Sequence, residues 1–127
     1  MASPIVSALR SGDTGSLSGL LADDVVFSSP VADYHGREPV SRMFALIAVV
    51  IDEVTPVQEW HAELDSVYAF TARVSGEQVQ GMLREQSGAA GALTRVTLFL
   101  RPYAALRTAI AAMRRLMEES PPPRGSE

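Results

Sequence analysis

The sequence predicts an α+β domain in which helices pack on the concave face of one strongly curved, mostly antiparallel sheet. Three observations predict it. An amphipathic helical stripe occupies the middle of the chain, four successive alternating stretches follow between residues 57 and 101, and a second helical stripe closes the chain. Helices and strands segregated in this way build packed layers rather than βαβ crossovers.

Each element has a local reason. Ser3-Pro4 reads as an N-cap with Pro at the first helical position, so a short helix runs to about Arg10. Ser11-Gly12-Asp13 breaks it. Asp13 or Thr14 caps a second short helix that places Leu17, Leu20 and Leu21 on one face and ends at Ala22-Asp23-Asp24. Val25-Val26-Phe27 is a short buried strand, stopped by Ser28-Ser29-Pro30, and residues 31–36 are a loop. The main helix opens at Gly36 and Pro39. Its apolar face carries Val40, Met43, Phe44, Ile47, Val50, Ile51 and Val54, and Pro56 ends it. Residues 57–64 and 67–74 alternate as strands. Ser75-Gly76-Glu77 turns the chain into a third strand, 78–86, in which Gly81 marks a bulge or a close approach. A Gly-rich loop leads to the last strand, 93–101, closed by Pro102. Tyr103 to Glu119 is a helix with Leu106, Ile110, Met113 and Met117 on one stripe. Residues 1–119 are expected to form a single domain, and the Pro-rich tail 120–127 to be disordered.

Composition excludes several chemistries. The 127 residues are 46% apolar and 20% charged, which suits a globular core. There is no Cys, so no disulfide and no thiol nucleophile. All eleven basic residues are Arg, which removes Schiff-base chemistry and a phosphate loop built on Lys. Two His cannot make a three-His zinc site within one chain. A net charge of −4 argues against a nucleic-acid partner. The longest apolar stretch, Phe44 to Ile51, is too short to span a bilayer, and Met1-Ala2-Ser3-Pro4 carries no basic leader. A cytoplasmic protein without membrane contact is expected.

Three stretches carry a family resemblance. They are Leu20-Leu21-Ala22-Asp23-Asp24-Val25-Val26-Phe27 with Ser29-Pro30-Val31, then Tyr34-His35-Gly36-Arg37-Glu38, then Leu100-Arg101-Pro102. In these, and in element order from about Pro4 to Met117, the chain resembles the SnoaL-like branch of the nuclear-transport-factor-2-like superfamily. The resemblance implies a cone-shaped domain with a pocket between sheet and helices. It also implies a homodimer formed through the outer face of the sheet. It does not choose an activity, because this superfamily holds isomerases, hydrolases, cyclases and non-catalytic binding domains. The expected function is binding of a small apolar molecule without assignable catalytic machinery, cofactor or metal. The alternative is an acid/base enzyme: a ketosteroid-isomerase-like isomerase, a cyclase, or a hydratase or epoxide hydrolase, using Asp33, Tyr34 or His35.

Individual residues sharpen these expectations. Asp33 in its polar loop reads as a solvated acid rather than a base facing an apolar pocket. His35 reads as a surface residue or helix cap, with an acid/base group at a pocket mouth as the sharper alternative. Glu59, His61 and Glu63 share one strand face, but at ~7 Å between alternate residues they converge poorly on one ion, so a polar outer face or dimer rim is expected. Trp60 is expected to point inward. Tyr34, Trp60, Phe70, Gln80, Met82 and Arg101 are the expected ligand-binding residues. For Arg101 the competing structural role is a bridge to Asp23 or Asp24. All strand assignments rest on parity, which a single-residue register shift reverses.

Overall fold

A computed structural model describes residues 3–119; the tail expected to be disordered lies outside these residues. Within them, three α-helices and a 3₁₀ turn accompany six strands. Helix α1 is Pro4–Ser11, followed by the 3₁₀ turn Leu17–Leu20. Strands β1 (Leu21–Ser28) and β2 (Asp33–His35) precede helix α2 (Arg37–Val50). Strands β3 (Ile51–His61), β4 (Asp65–Val74), β5 (Glu77–Ser87) and β6 (Leu93–Arg101) form an antiparallel meander, and α3 (Tyr103–Glu119) closes the chain. The sheet order is β2-β1-β6-β5-β4-β3, with β1 parallel to β6 and every other pair antiparallel. The sheet is curved and unclosed, as the α+β expectation requires.

The helix starts are local chemistry. The Ser3 hydroxyl accepts the Val6 N–H at 3.0 Å, and Gly12, at φ 82°, ends α1 with its N–H on the Ala8 carbonyl. Arg37 opens α2 and ties it to β1. Its guanidinium donates to the Leu21 carbonyl at 3.0 and 3.2 Å and pairs with Asp23 at 2.8 Å. This is the tether between the family-like segments. Arg101 does not supply it: its guanidinium instead donates to Gln80 Oε1 at 2.6 Å across the β5–β6 pair.

Four boundaries differ from the sequence reading. The second helix is only the 3₁₀ turn, and β1 begins at Leu21, because Arg37 and the pairing with Leu93 hold that segment extended. The loop 31–36 contains β2, which pairs Tyr34 with Phe27. Helix α2 stops at Val50, four residues short of Val54. Ile51 and Val54 are buried as strand residues, and Pro56 lies inside β3. A Pro is tolerated there because β3 is an edge strand.

The fourth difference decides the faces of β3. Pro56 pairs with Phe70 and Gln58 with Ala69, so Val57 is an extra residue, a bulge. Beyond it the alternation reverses. Glu59 and His61 stand opposite Tyr68 and Ser66, and Trp60 turns to the convex face, 49% exposed. The core lies between helices and concave face, with Phe27, Phe44, Phe70, Ile5 and Leu83 among its fully buried side chains. Gly81 is a close-approach position: a Cβ there would lie 2.3 Å from Cζ of Phe70.

Candidate functional site

The helical stripes of α2 and α3 do not close completely on the sheet. They leave a cavity of about 380 Å³ at one end of the concave face. Its floor is Val74, Leu98 and Leu100, at the last residues of β4 and β6. Its α2 wall is Met43, Ile47 and Val50, and its α3 wall includes Leu106, Ile110 and Met113. Ser29, Pro30 and Val31, just past β1, form a rim that faces Met117 and Glu118 across the cavity. The lining is apolar except for Ser29, Tyr34, Arg114 and Glu118. Tyr34 is held by its ring, stacked on Phe27 with centroids 6.1 Å apart, and Phe27 in turn meets Phe44 at 4.9 Å.

Strand parity separates the expected residues. On β2, Tyr34 shares the concave face with Phe27, while Asp33 and His35 project to the other face and are exposed. Phe70 is 2% exposed and packs over Gly81 as core. Gln80 and Met82 share one face as the alternation requires, and that face is convex. With Val57, Phe99 and Arg101 they line a shallow groove of about 320 Å³ on the outside of the sheet. Of the six expected ligand-binding residues, Tyr34 alone lines the large cavity. The residues that build its walls are the α2 and α3 stripes. Their helical spacing was visible in the sequence, but it predicts an apolar face and not the gap left beneath it.

The opposite end of the concave face is polar. Glu85 of β5 is 6% exposed and accepts the Ser3 hydroxyl at the start of α1. Burial raises its carboxyl above the ordinary value, against smaller opposing pulls from Ser3 and the Ile5 backbone. Its neighbour Arg84 points outward and donates to Asp65 Oδ1 at 2.9 Å, so these adjacent residues face opposite sides. His61 bridges two side chains: Nδ1 lies 2.9 Å from Ser66 Oγ and Nε2 lies 2.8 Å from Glu59 Oε1. The hydrogen bond from His61 is the largest cause lowering the Glu59 carboxyl below its ordinary value. The Tyr68 ring meets the imidazole edge-on, with centroids 5.6 Å apart, and burial raises its phenol. Among the described residues, no three His, Asp or Glu side chains group as metal ligands. No described helix is long and apolar enough to cross a membrane.

No family model and no curated protein sequence matches the chain. Solved structures do. A steroid delta-isomerase from Pseudomonas aeruginosa superposes with a TM-score of 0.84 at 23% identity, covering 89% of this chain and 85% of that one. An uncharacterised protein with a cystatin-like fold from Silicibacter pomeroyi DSS-3 gives 0.83 at 21% identity, covering 92% and 87%. A protein of the SnoaL-like family from Agrobacterium tumefaciens gives 0.63 at 9% identity, covering 76% and 91%. The chain therefore has the nuclear-transport-factor-2-like, cystatin-like fold that these isomerase-like and SnoaL-like proteins share.

Proposed function

We propose that this protein binds a small apolar molecule in the cavity between α2, α3 and the sheet, with no catalytic machinery assigned to that cavity. The observation that carries this reading is the cavity itself, about 380 Å³ and walled almost wholly by aliphatic and Met side chains. That volume falls in the usual range of ligand sites. Met43, Met113 and Met117 are three of the five Met in the sequence, and they give the walls adaptable surface. Of the three residues named for the acid/base alternative, Tyr34 reaches the cavity, while Asp33 and His35 leave the sheet on the other face.

The same reading includes a cytoplasmic homodimer joined through the convex face. Val57, Trp60, Met82 and Phe99 are 60, 49, 41 and 57% exposed on that face. Apolar side chains grouped in this way mark a contact surface.

The test is saturable uptake of 1-aminoanthracene, with native mass spectrometry of the purified protein. One probe molecule per chain is expected, lost in Met113→Trp, whose indole fills the cavity, and kept in Gln80→Ala. Absence of saturable uptake in the wild type, together with no co-purifying mass, refutes the reading.

A further inference from the structure

We propose that Ser66, His61 and Glu59 form a nucleophilic acyl-transfer site at the end of the sheet opposite the cavity, one that takes small, unhindered esters. The geometry is that of an activated hydroxyl: nucleophile and base within hydrogen-bond reach, and the base oriented by a third group. Ser66 Oγ lies 2.9 Å from His61 Nδ1, and His61 Nε2 lies 2.8 Å from Glu59 Oε1. The carboxylate fixes the imidazole proton on Nε2, which leaves the Nδ1 lone pair facing the Ser66 hydroxyl.

Three features hold this arrangement. The β3–β4 register sets His61 directly opposite Ser66, so both side chains rise from one cross-strand pair. The Tyr68 ring, 9% exposed, packs edge-on against the imidazole and limits its rotation. The Glu59 carboxyl is held below its ordinary value by the bond from His61, so it stays ionised as the imidazole gains a proton. The site is open to reagents: the His61 and Glu59 side chains are 43% and 36% exposed. Neither cavity described above includes these three residues, so the site offers no walls to hold a large acyl or alcohol group, and small, reactive esters are the substrates it can take.

The chemistry balances without any further reactant. Ser66 Oγ bonds to the ester carbonyl carbon as its proton passes to His61 Nδ1. The carbon–oxygen bond to the leaving alcohol breaks, and that oxygen takes the proton. Water then attacks the acyl-Ser66 carbonyl, giving its proton to His61, and the carboxylic acid leaves as Ser66 regains a proton.

The experiment uses p-nitrophenyl acetate turnover and a fluorophosphonate label read by peptide mass. Background is low because the chain has neither Cys nor Lys. Turnover at least tenfold above buffer is expected, reduced to background in Ser66→Ala and His61→Gln, a range set by general-base contributions of about 10²–10⁴. The label is expected on Ser66 of the wild-type protein, a readout that does not depend on a variant folding. Glu59→Gln is expected to keep the label while slowing it and moving its pH profile, because Glu59 positions the base; an unaltered profile overturns that role. Equal turnover in wild type, Ser66→Ala and His61→Gln, or a label that settles on another residue, overturns the proposal.

Discussion

Gly81→Ala tests the close approach of Phe70 to the backbone of β5. The added methyl would sit 2.3, 2.7 and 2.8 Å from Cζ, Cε2 and Cε1 of Phe70. Carbon atoms rest at about 3.5–4.0 Å, so the ring must retreat by a little over ~1 Å. It has nowhere to go, because Phe70 is 2% exposed and lies among Val79, Leu83 and Ala72 on the core face. Overpacking of this kind costs about 1–3 kcal/mol. Replacing Gly by Ala restricts the unfolded chain and returns about 0.4–1 kcal/mol. The net expectation is a loss of about 1–2 kcal/mol, or about 4–8 °C in Tm for a domain of this size. Thermal and urea unfolding followed by circular dichroism measures it. Phe70→Leu in the Gly81→Ala background should cost less than Phe70→Leu alone, with an interaction energy of at least about 0.5 kcal/mol. A neutral or stabilised Gly81→Ala, or an additive double mutant, refutes the close-approach argument.

Three further predictions concern the other faces. Burial raises the Glu85 carboxyl, so its contribution to stability is fully present below the unfolded value of about 4.3 and is lost as pH rises through the folded one. Glu85→Gln stays neutral, so its Tm relative to wild type should improve from pH 4 to pH 7; a constant difference refutes the sign. Deleting Val57 removes the extra residue and leaves Pro56 and Gln58 in plain alternation opposite Phe70 and Ala69, so Trp60, the sole Trp, should keep its convex face and its emission; a blue-shifted emission with a lower Tm refutes the bulge assignment. Phe99→Arg places a charge in the convex apolar patch and should convert a dimer to a monomer by light scattering without changing the circular dichroism; a dimer that persists refutes the convex interface.

What the sequence made legible follows from what period and punctuation encode. The antiparallel meander, the N-cap at Ser3, the turn at Gly76 and the close approach at Gly81 each have a local cause that residue types express. The end of α2 does not. Ile51 and Val54 continue the helical stripe of Val40, Phe44 and Ile47, and only pairing with β4 pulls them into a strand. Pro56 reads as a helix stop when the edge position of β3 is unknown. The bulge at Val57 has no residue signature at all, yet it exchanges the faces of Trp60 and of the Glu59–His61 pair. Trp60 is expected inside because it shares a strand face with Ala62 and Leu64, opposite the polar Glu59, His61 and Glu63, and hydropathy alone does not show that β3 turns that face outward.

The same bulge has a chemical consequence. Were Val57 instead paired in plain alternation after Pro56, β3 would present Trp60 to the concave face and send Glu59 and His61 outward, away from Ser66, Tyr68 and Glu85. An aromatic at that place would extend the apolar lining along the whole concave face. With the bulge, the face is divided: aliphatic and Met side chains surround a cavity at one end, and a hydrogen-bonded polar group occupies the other. Burying a polar group costs free energy unless it is paired, and the buried Glu85 is tied to Ser3, while the more open His61 bonds to both Ser66 and Glu59. Those ties anchor α1 to β5 and the edge strand β3 to β4, so the polar end holds the frame while α2 and α3 leave the other end open. The proposed binding in the cavity and the proposed reactivity at Ser66 therefore fall on separate parts of one sheet. Met113→Trp should abolish probe uptake and leave the Ser66 label intact, while Ser66→Ala should do the reverse.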